Sequence, residues 1–206
     1  AFFGNKGNEI KSLIDKFQYP RYGPGQMWET MTARIEEMGG EVRLNTPVTK
    51  IELDGKRVKA LHTADGEVFE PAAVISSLPL RDTVAMADPA APEQVREAGR
   101  TLRYRDFLTV ALIIEGPDPF PDNWIYIHEP GVQVGRIQNF RSWSPWMVPD
   151  PDMSCVGMEY FCFKGDRLWN MADEDLVALA TRELEQLGLV EPGKVKRGYA
   201  VRVPLA

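Results

Sequence analysis

Little in this 206-residue chain offers the usual handles of enzyme chemistry. It has two cysteines, Cys155 and Cys162, and two histidines, His62 and His128. Two cysteines are too few for a disulfide framework. Both sit in an aromatic strand-like run, where packed thiols are the simpler reading, and a reducing, cytoplasmic setting is expected. Neither histidine has a partner at ligand spacing, and a zinc site needs a close cluster of Cys, His or carboxylate. No metal site is therefore expected. A nucleophilic triad needs an activated Ser or Cys with an orienting histidine, and Ser76-Ser77 lack a glycine-flanked elbow. Neither common phosphate loop occurs: no Gly-x-Gly-x-x-Gly and no Gly-x-x-x-x-Gly-Lys. No apolar run approaches the ~20 residues that cross a bilayer, and no basic-then-apolar leader opens the sequence. A basic excess is missing too. Thirty acidic against 24 basic side chains give a net charge of −6, which argues against a nucleic-acid binder that must displace counterions from phosphates. A local basic pocket for a phosphorylated ligand stays open.

What is present is a legible run of elements. Residues 8–17 suit a short helix with Ile10, Leu13, Ile14 and Phe17 on one face. After Tyr19-Pro20-Arg21-Tyr22, the turn Gly23-Pro24-Gly25 leads into a helix from Gln26 to Met38. Gly39-Gly40 is expected to stop it in left-handed geometry. Met27, Met31, Ile35 and Met38 form one apolar stripe on that helix. Residues 41–44 read as a short strand. Asp54-Gly55 and Asp65-Gly66 are hairpin signals, so 46–70 reads as a three-stranded antiparallel meander. Ala72 to Leu78 is a nearly continuous apolar run, as expected of a parallel strand covered on both faces. Short helices are expected at 81–87 and 92–100, and strands at 107–114, 124–127, 132–140, 154–163 and 195–203. A helix from 173 to 187 should bury Leu176, Leu179, Ala180, Leu184 and Leu187, with Asp173 as its cap. The fold class is α/β with a β-meander, followed by an α+β part with a mainly antiparallel sheet and flanking helices.

Two places could face a ligand. Ser76-Ser77-Leu78-Pro79 ends the apolar run, and ligands of open α/β sheets sit outside the carboxyl ends of the strands. Gly23 and Gly25 stand at a helix N-terminus, where free N–H groups favour electron-rich atoms. A plain tight turn explains the glycines equally well.

The order of these features resembles the flavin-containing amine oxidase superfamily. The resemblance rests on Gly23-Pro24-Gly25-Gln26-Met27-Trp28-Glu29, the helix to Gly39-Gly40, Val42-x-Leu44-x-x-Pro47-Val48-x-x-Ile51, the meander, and Ala73-Val74-Ile75-Ser76-Ser77-Leu78-Pro79. It implies FAD as cofactor. Val48 would pair its backbone with the adenine, Ser76, Ser77, Leu78 and Pro79 would pass beneath the dinucleotide, and Gly25 and Gln26 would lie near the flavin ring. Strand packing for Val48 and an exposed helix start for Gln26 are the plain alternatives. The implied organisation is a lead-in of the substrate domain at 1–20, part of a Rossmann-like FAD-binding domain at 21–80, and a substrate-binding domain at 81–206. Both ends of the sequence look cut, so an interior piece is expected.

Tyr19-Pro20-Arg21, with Arg136-Ile137-Gln138-Asn139-Phe140-x-Ser142-Trp143-Ser144-Pro145-Trp146, looks like a subgroup, the UDP-galactopyranose mutases of the eukaryotic kind. That likeness marks Gln26, Arg136, Asn139 and Trp143 as candidate substrate contacts. For the tryptophans, a capping patch over the core is the alternative. The leading expectation is an FAD-dependent oxidoreductase whose flavin accepts hydride from a small-molecule substrate. The rivals are a mutase-like isomerase of a nucleotide sugar and a non-catalytic binding module.

Overall fold

The computed structural model describes residues 18–204, so the expected helix at 8–17 lies outside the described residues. The chain forms two compact units: residues 1–33 with 106–206, and residues 34–105. They divide at 33/34 and 105/106, and the segment after Pro79 packs with the meander through β4 beside β1.

Helix α1 (Gly25–Glu37) belongs to the first unit up to Ala33 and ends as expected: Gly39 has φ 85°, its N–H donates to the Glu36 carbonyl, and the Gly40 N–H donates to that of Ile35. This crossed pair closes a helix when the terminal residue turns left-handed, which glycine does without a Cβ clash. The meander is β1 (Val48–Asp54), β2 (Arg57–Thr63) and β3 (Val68–Phe69), antiparallel throughout. After α2 (Leu80–Ala85), β4 (Ala87–Asp88) adds a short parallel edge to β1, through Ile51↔Ala87 and Glu52↔Asp88, giving the order β3-β2-β1-β4. Next comes α3 (Glu93–Thr101), whose buried Gly99 faces Val84 of α2.

Two expectations fail in this unit. The apolar run 72–78 forms no ladder and is exposed throughout, with the Ile75 side chain fully in solvent. A parallel strand is buried by the strands and helices beside it, and no strand lies alongside this run among the described residues. The segment 41–44 is also irregular. Arg43 there is held by Glu41 and Glu67, and Asn45 takes a positive φ of 57°.

The other unit is built on a five-stranded antiparallel sheet in the order β6-β7-β8-β5-β9. Its elements are β5 (Asp106–Glu115), β6 (Trp124–Tyr126), β7 (Arg136–Asn139), the short α4 (Phe140–Trp143), β8 (Met153–Cys162), α5 (Asp173–Gln186) and β9 (Val195–Val203). Period-two alternation sends Leu108, Val110, Leu112 and Ile114 of β5 to one face, with Val156, Met158 and Tyr160 of β8. Leu176, Leu179, Ala180 and Leu184 of α5 cover that face and complete the core, whereas Leu187 is only half-buried. Each fully buried Leu or Ile there contributes about 1.5–3 kcal/mol of apolar transfer.

Asp173 does not cap α5. It is the first helical residue, and its carboxylate accepts from Arg202 of β9 at 2.6 Å, while Arg202 also donates to the Trp169 and Met171 carbonyls. Strand β7 is shorter than the expected 132–140. The N–H groups of Gln133 and Val134 donate to the buried Glu183 carboxylate of α5, at 2.7 and 3.1 Å, instead of joining the ladder. The Tyr160 hydroxyl donates to the same carboxylate at 3.0 Å. Burial and the adjacent Glu183 charge push the Tyr160 phenol well above its ordinary value.

Candidate functional site

The sheet of the first unit has a second face, turned away from α5, and cross-strand register decides what stands on it. One row reads Tyr126–Arg136–Glu159–Thr109–Val201. The next reads Trp124–Gln138–Gly157–Ala111–Tyr199. Beside the first row lie Phe161, Phe107 and Val203. Directly opposed residues of an antiparallel pair share a face, so these side chains form one surface. Its centre is small, at Gly157, Ala111 and Thr109, and its borders are large. Trp124, Tyr126, Phe161 and Tyr199 are all exposed. Gly157 has a steric reason: a Cβ there would stand 2.9 Å from Cζ of Phe140, whose ring lies over it.

One carboxylate lies in these rows. Glu159 is fully buried, and both its oxygens are committed: one accepts from Arg136 Nε and the other from the Gln138 amide. The Glu159 contact raises the Arg136 pKa further above its ordinary value, against a smaller opposing effect of burial. Arg136 also stands 5.9 Å from the centre of the Tyr126 ring. The sequence pointed to Arg136 but not to Glu159 or Gln138. The available signal was an acid between Met158 and Tyr160 in an apolar strand, but its partner is set by a pairing that only the register reveals.

A second cluster joins the two segments that carried the subgroup likeness. Trp143 stacks on Trp124 at 5.2 Å, and Tyr19 leans on Trp143 at 5.0 Å. The Ser144 hydroxyl donates to the Arg21 carbonyl at 2.6 Å, and the Arg21 guanidinium sits 4.5 Å from the Trp146 ring centre. Close by, Pro20, Arg21, Gln26, Met27, Thr30 and Met31 line a shallow depression of about 390 Å³. Gln26 uses its side-chain oxygen to accept from the Tyr22 N–H at 3.0 Å, which braces the turn. Gly25 opens α1, and a Cβ there would meet nothing within 4 Å.

Asn139 is placed differently from the expected substrate contact. It is fully buried, its oxygen accepts from the Arg141 and Ser142 N–H groups at the start of α4, and its amide donates to the Phe120 carbonyl and toward Ser142 Oγ. That is a helix cap and a loop anchor. In the other unit, Val48 begins β1 opposite Thr63. Ser76 accepts from the Leu78 N–H at 3.3 Å, and the Pro79 carbonyl accepts from Asp82 and Thr83 at the start of α2. Among the described residues no group of Cys, His, Asp and Glu could hold a metal ion, and no helix is long and apolar enough to cross a membrane. Among the described residues, neither Cys155 nor Cys162 forms a disulfide.

A family model for flavin containing amine oxidoreductases matches residues 2–202. The chain belongs to that family. The chain shares 37% identity over 59 residues with a lycopene-forming phytoene desaturase of Pantoea ananas, covering 29% of this chain and 12% of the desaturase. In fold it is similar to reduced UDP-galactopyranose mutase, with a TM-score of 0.77 at 14% identity, covering 91% of this chain and 40% of the mutase. It is also similar to putrescine oxidase bound to putrescine, with a TM-score of 0.60 at 17% identity, covering 86% of this chain and 38% of the oxidase. The chain thus spans about two fifths of the solved structures it matches. The mixed four-stranded and antiparallel five-stranded sheets fit the family fold.

The residues fit a flavin dinucleotide in part. The exposed, extended segment 72–79 offers unladdered backbone and two hydroxyls in unit two, a donor set suited to ribose and phosphate oxygens. No glycine-rich phosphate turn occurs in the 206 residues.

Proposed function

We propose that this chain supplies the substrate wall of an FAD-dependent oxidoreductase of the amine oxidase type. The observation that carries this reading is the sheet face turned away from α5, where exposed Trp124, Tyr126, Phe161 and Tyr199 stand with the polar group of Arg136, Gln138 and buried Glu159. Large exposed aromatic patches mark binding surfaces, and an apolar wall with a few placed polar groups is how small-molecule sites are built.

FAD, when bound, accepts a hydride from a substrate C–H bond, taking two electrons and leaving the oxidised substrate. The protein's share is to hold and orient that substrate and to exclude water. Gly25 and Gln26 would border the flavin ring, Val48 the adenine, and Ser76, Ser77, Leu78 and Pro79 the dinucleotide. Arg136, Gln26 and Trp143 would contact substrate. Two cysteines without a disulfide among the described residues are in keeping with a reducing, cytoplasmic setting.

A second reading, a nucleotide-sugar isomerase without net redox change, is favoured by Arg136, since a guanidinium fork suits phosphate oxygens. One experiment separates the readings. The 206-residue chain is expected to hold FAD weakly, whereas a longer protein carrying it with a Gly-x-Gly-x-x-Gly unit should bind FAD stoichiometrically. Anaerobic bleaching of that flavin by an amine supports the oxidase. Tight UDP binding by the reduced protein without flavin reoxidation supports the isomerase. If the longer protein holds no flavin, both enzyme readings fall and a binding module remains.

A further inference from the structure

We propose that the cavity between the loop at 147–153 and the start of β9 binds a carboxylate with an apolar body, of the medium-chain acyl type, and that Arg197 holds the carboxylate. The cavity measures about 450 Å³ and lies wholly within the unit that carries the five-stranded sheet. Small-molecule sites fall in this size range and combine an apolar lining with a few polar groups. Its floor is the row Cys155–Ile113–Arg197, directly opposed across β8, β5 and β9 and so on one face. Met147, Val148 and Met153 add the apolar wall. Ile113, Cys155 and both methionines are half-buried, and Val148 is buried. Unbranched methionines adapt their shape to an apolar guest.

The charges of the lining come from Asp150, Lys196 and Arg197. Strict alternation would send Lys196 and Arg197 to opposite faces of β9. A register shift prevents this: Ile113 pairs with Arg197 and Ile114 with Val195, which leaves Lys196 without an opposite number on β5. Both cations therefore border one cavity, and bulges beside binding sites re-aim side chains in this way. The three charges are not equally available. Lys196 binds Glu115 at 2.6 Å, and Asp150 Oδ1 accepts the Asp152 N–H at 3.0 Å. Arg197 is exposed and has no hydrogen bond or ion pair among the described residues. Its guanidinium can give two parallel N–H groups to the two oxygens of one carboxylate. A bulge with two cations also protects an edge strand from pairing with another chain. Edge protection gives no reason for an apolar recess beside those cations, and a ligand with one apolar and one anionic end does.

The test labels the methionine methyl groups of the 206-residue chain with ¹³C and follows Met147 and Met153 by NMR. Octanoate, octanol, octylammonium and acetate are titrated separately at constant ionic strength, below micelle-forming concentrations. Saturable shifts at both methyls are expected with octanoate. Octanol and octylammonium should bind about tenfold more weakly, and acetate should leave both methyls unmoved. Arg197→Gln should weaken octanoate about tenfold and leave octanol unchanged, a split that general damage to the wall would not produce. Unchanged core signals from α5 show that the variant is folded, and Arg197→Lys, which keeps the charge without the fork, serves if it is not. Equal octanoate binding by wild type and the Arg197 variant overturns the proposal. So does octanol or octylammonium binding as tightly as octanoate, and so does silence at both methyls. No probe engages a flavin, so the FAD reading is judged separately.

Discussion

Replacing Glu183 with alanine probes a point where α5 is tied through the core to the covered face of the sheet and to the segment before β7. The carboxylate takes three donors: Gln133 N–H, Val134 N–H and the Tyr160 hydroxyl. Gln133 is exposed and regains water, but Val134 is 3% exposed and Tyr160 is 0% exposed. Each buried donor left without an acceptor costs about 1–3 kcal/mol, so two such donors give roughly 2–6 kcal/mol. Relief of the desolvated charge offsets part of this, and about 2–4 kcal/mol is the expected net loss. Tyr160→Phe removes a donor and leaves the carboxylate two N–H groups, so about 0.5–1.5 kcal/mol is expected. In the double variant no hydroxyl is orphaned, and the two costs should fall short of additivity by about 1 kcal/mol or more. The assay is urea unfolding followed by tryptophan fluorescence. All five tryptophans, at 28, 124, 143, 146 and 169, lie in the unit that contains this sheet, so the signal reports that unit selectively. Arg182→Ala, exposed on the same helix, is the control and should change stability by less than about 0.5 kcal/mol. A Glu183→Ala loss no larger than that of the control, or strict additivity with Tyr160→Phe, would refute the reasoning.

Three further outcomes are expected. Glu52 accepts from Lys59 and contacts His62, which together hold its carboxyl at about 2, below its ordinary 4.5. A depressed carboxylate stabilises the fold above its unfolded value and loses that contribution as pH falls through its folded one. The β1–β2 hairpin should therefore weaken between about pH 4.5 and 2, and Glu52→Gln should flatten that stretch of an NMR-monitored pH profile. Burial pushes the Cys155 thiol up to about 11, so an aromatic disulfide reagent should modify it slowly at neutral pH and faster as pH rises towards that value. Labelling as fast as in the urea-unfolded chain at pH 7 would contradict this. A Cβ at Gly198 would stand 2.5 Å from Cγ1 of Val177, so Gly198→Ala should cost about 1–3 kcal/mol by pressing α5 off β9. Val177→Ala in the same chain should recover much of it in the fluorescence-monitored melt.

The contrast between what the sequence announces and what it hides follows from the range of the interactions involved. Alternation in 107–114 and 154–163 reads directly as strands because a sheet with one covered face imposes period two on each strand by itself. The stripe from Leu176 to Leu184 does the same for α5. Gly39 stops α1 through hydrogen bonds that span five residues. Longer-range facts escape this kind of reading. The run 72–78 carries the composition of a buried strand, but burial is conferred by neighbours, and none lies beside it among the described residues. Asn139 looks like a ligand contact by its place among polar and aromatic residues, yet its amide is consumed by the loop at Phe120 and the start of α4. Glu159 and Glu183 show the same limit from the opposite side. Each is an acid within an apolar pattern, which a local reading treats as an exposed interruption. Both are buried, because partners 21 to 50 residues away in the chain supply their hydrogen bonds. An acid placed where the pattern demands an apolar residue is thus itself a signal: it marks a position whose partner must be sought across the sheet. In this chain, one such partner is Arg136, which meets Glu159 across the β7–β8 pairing.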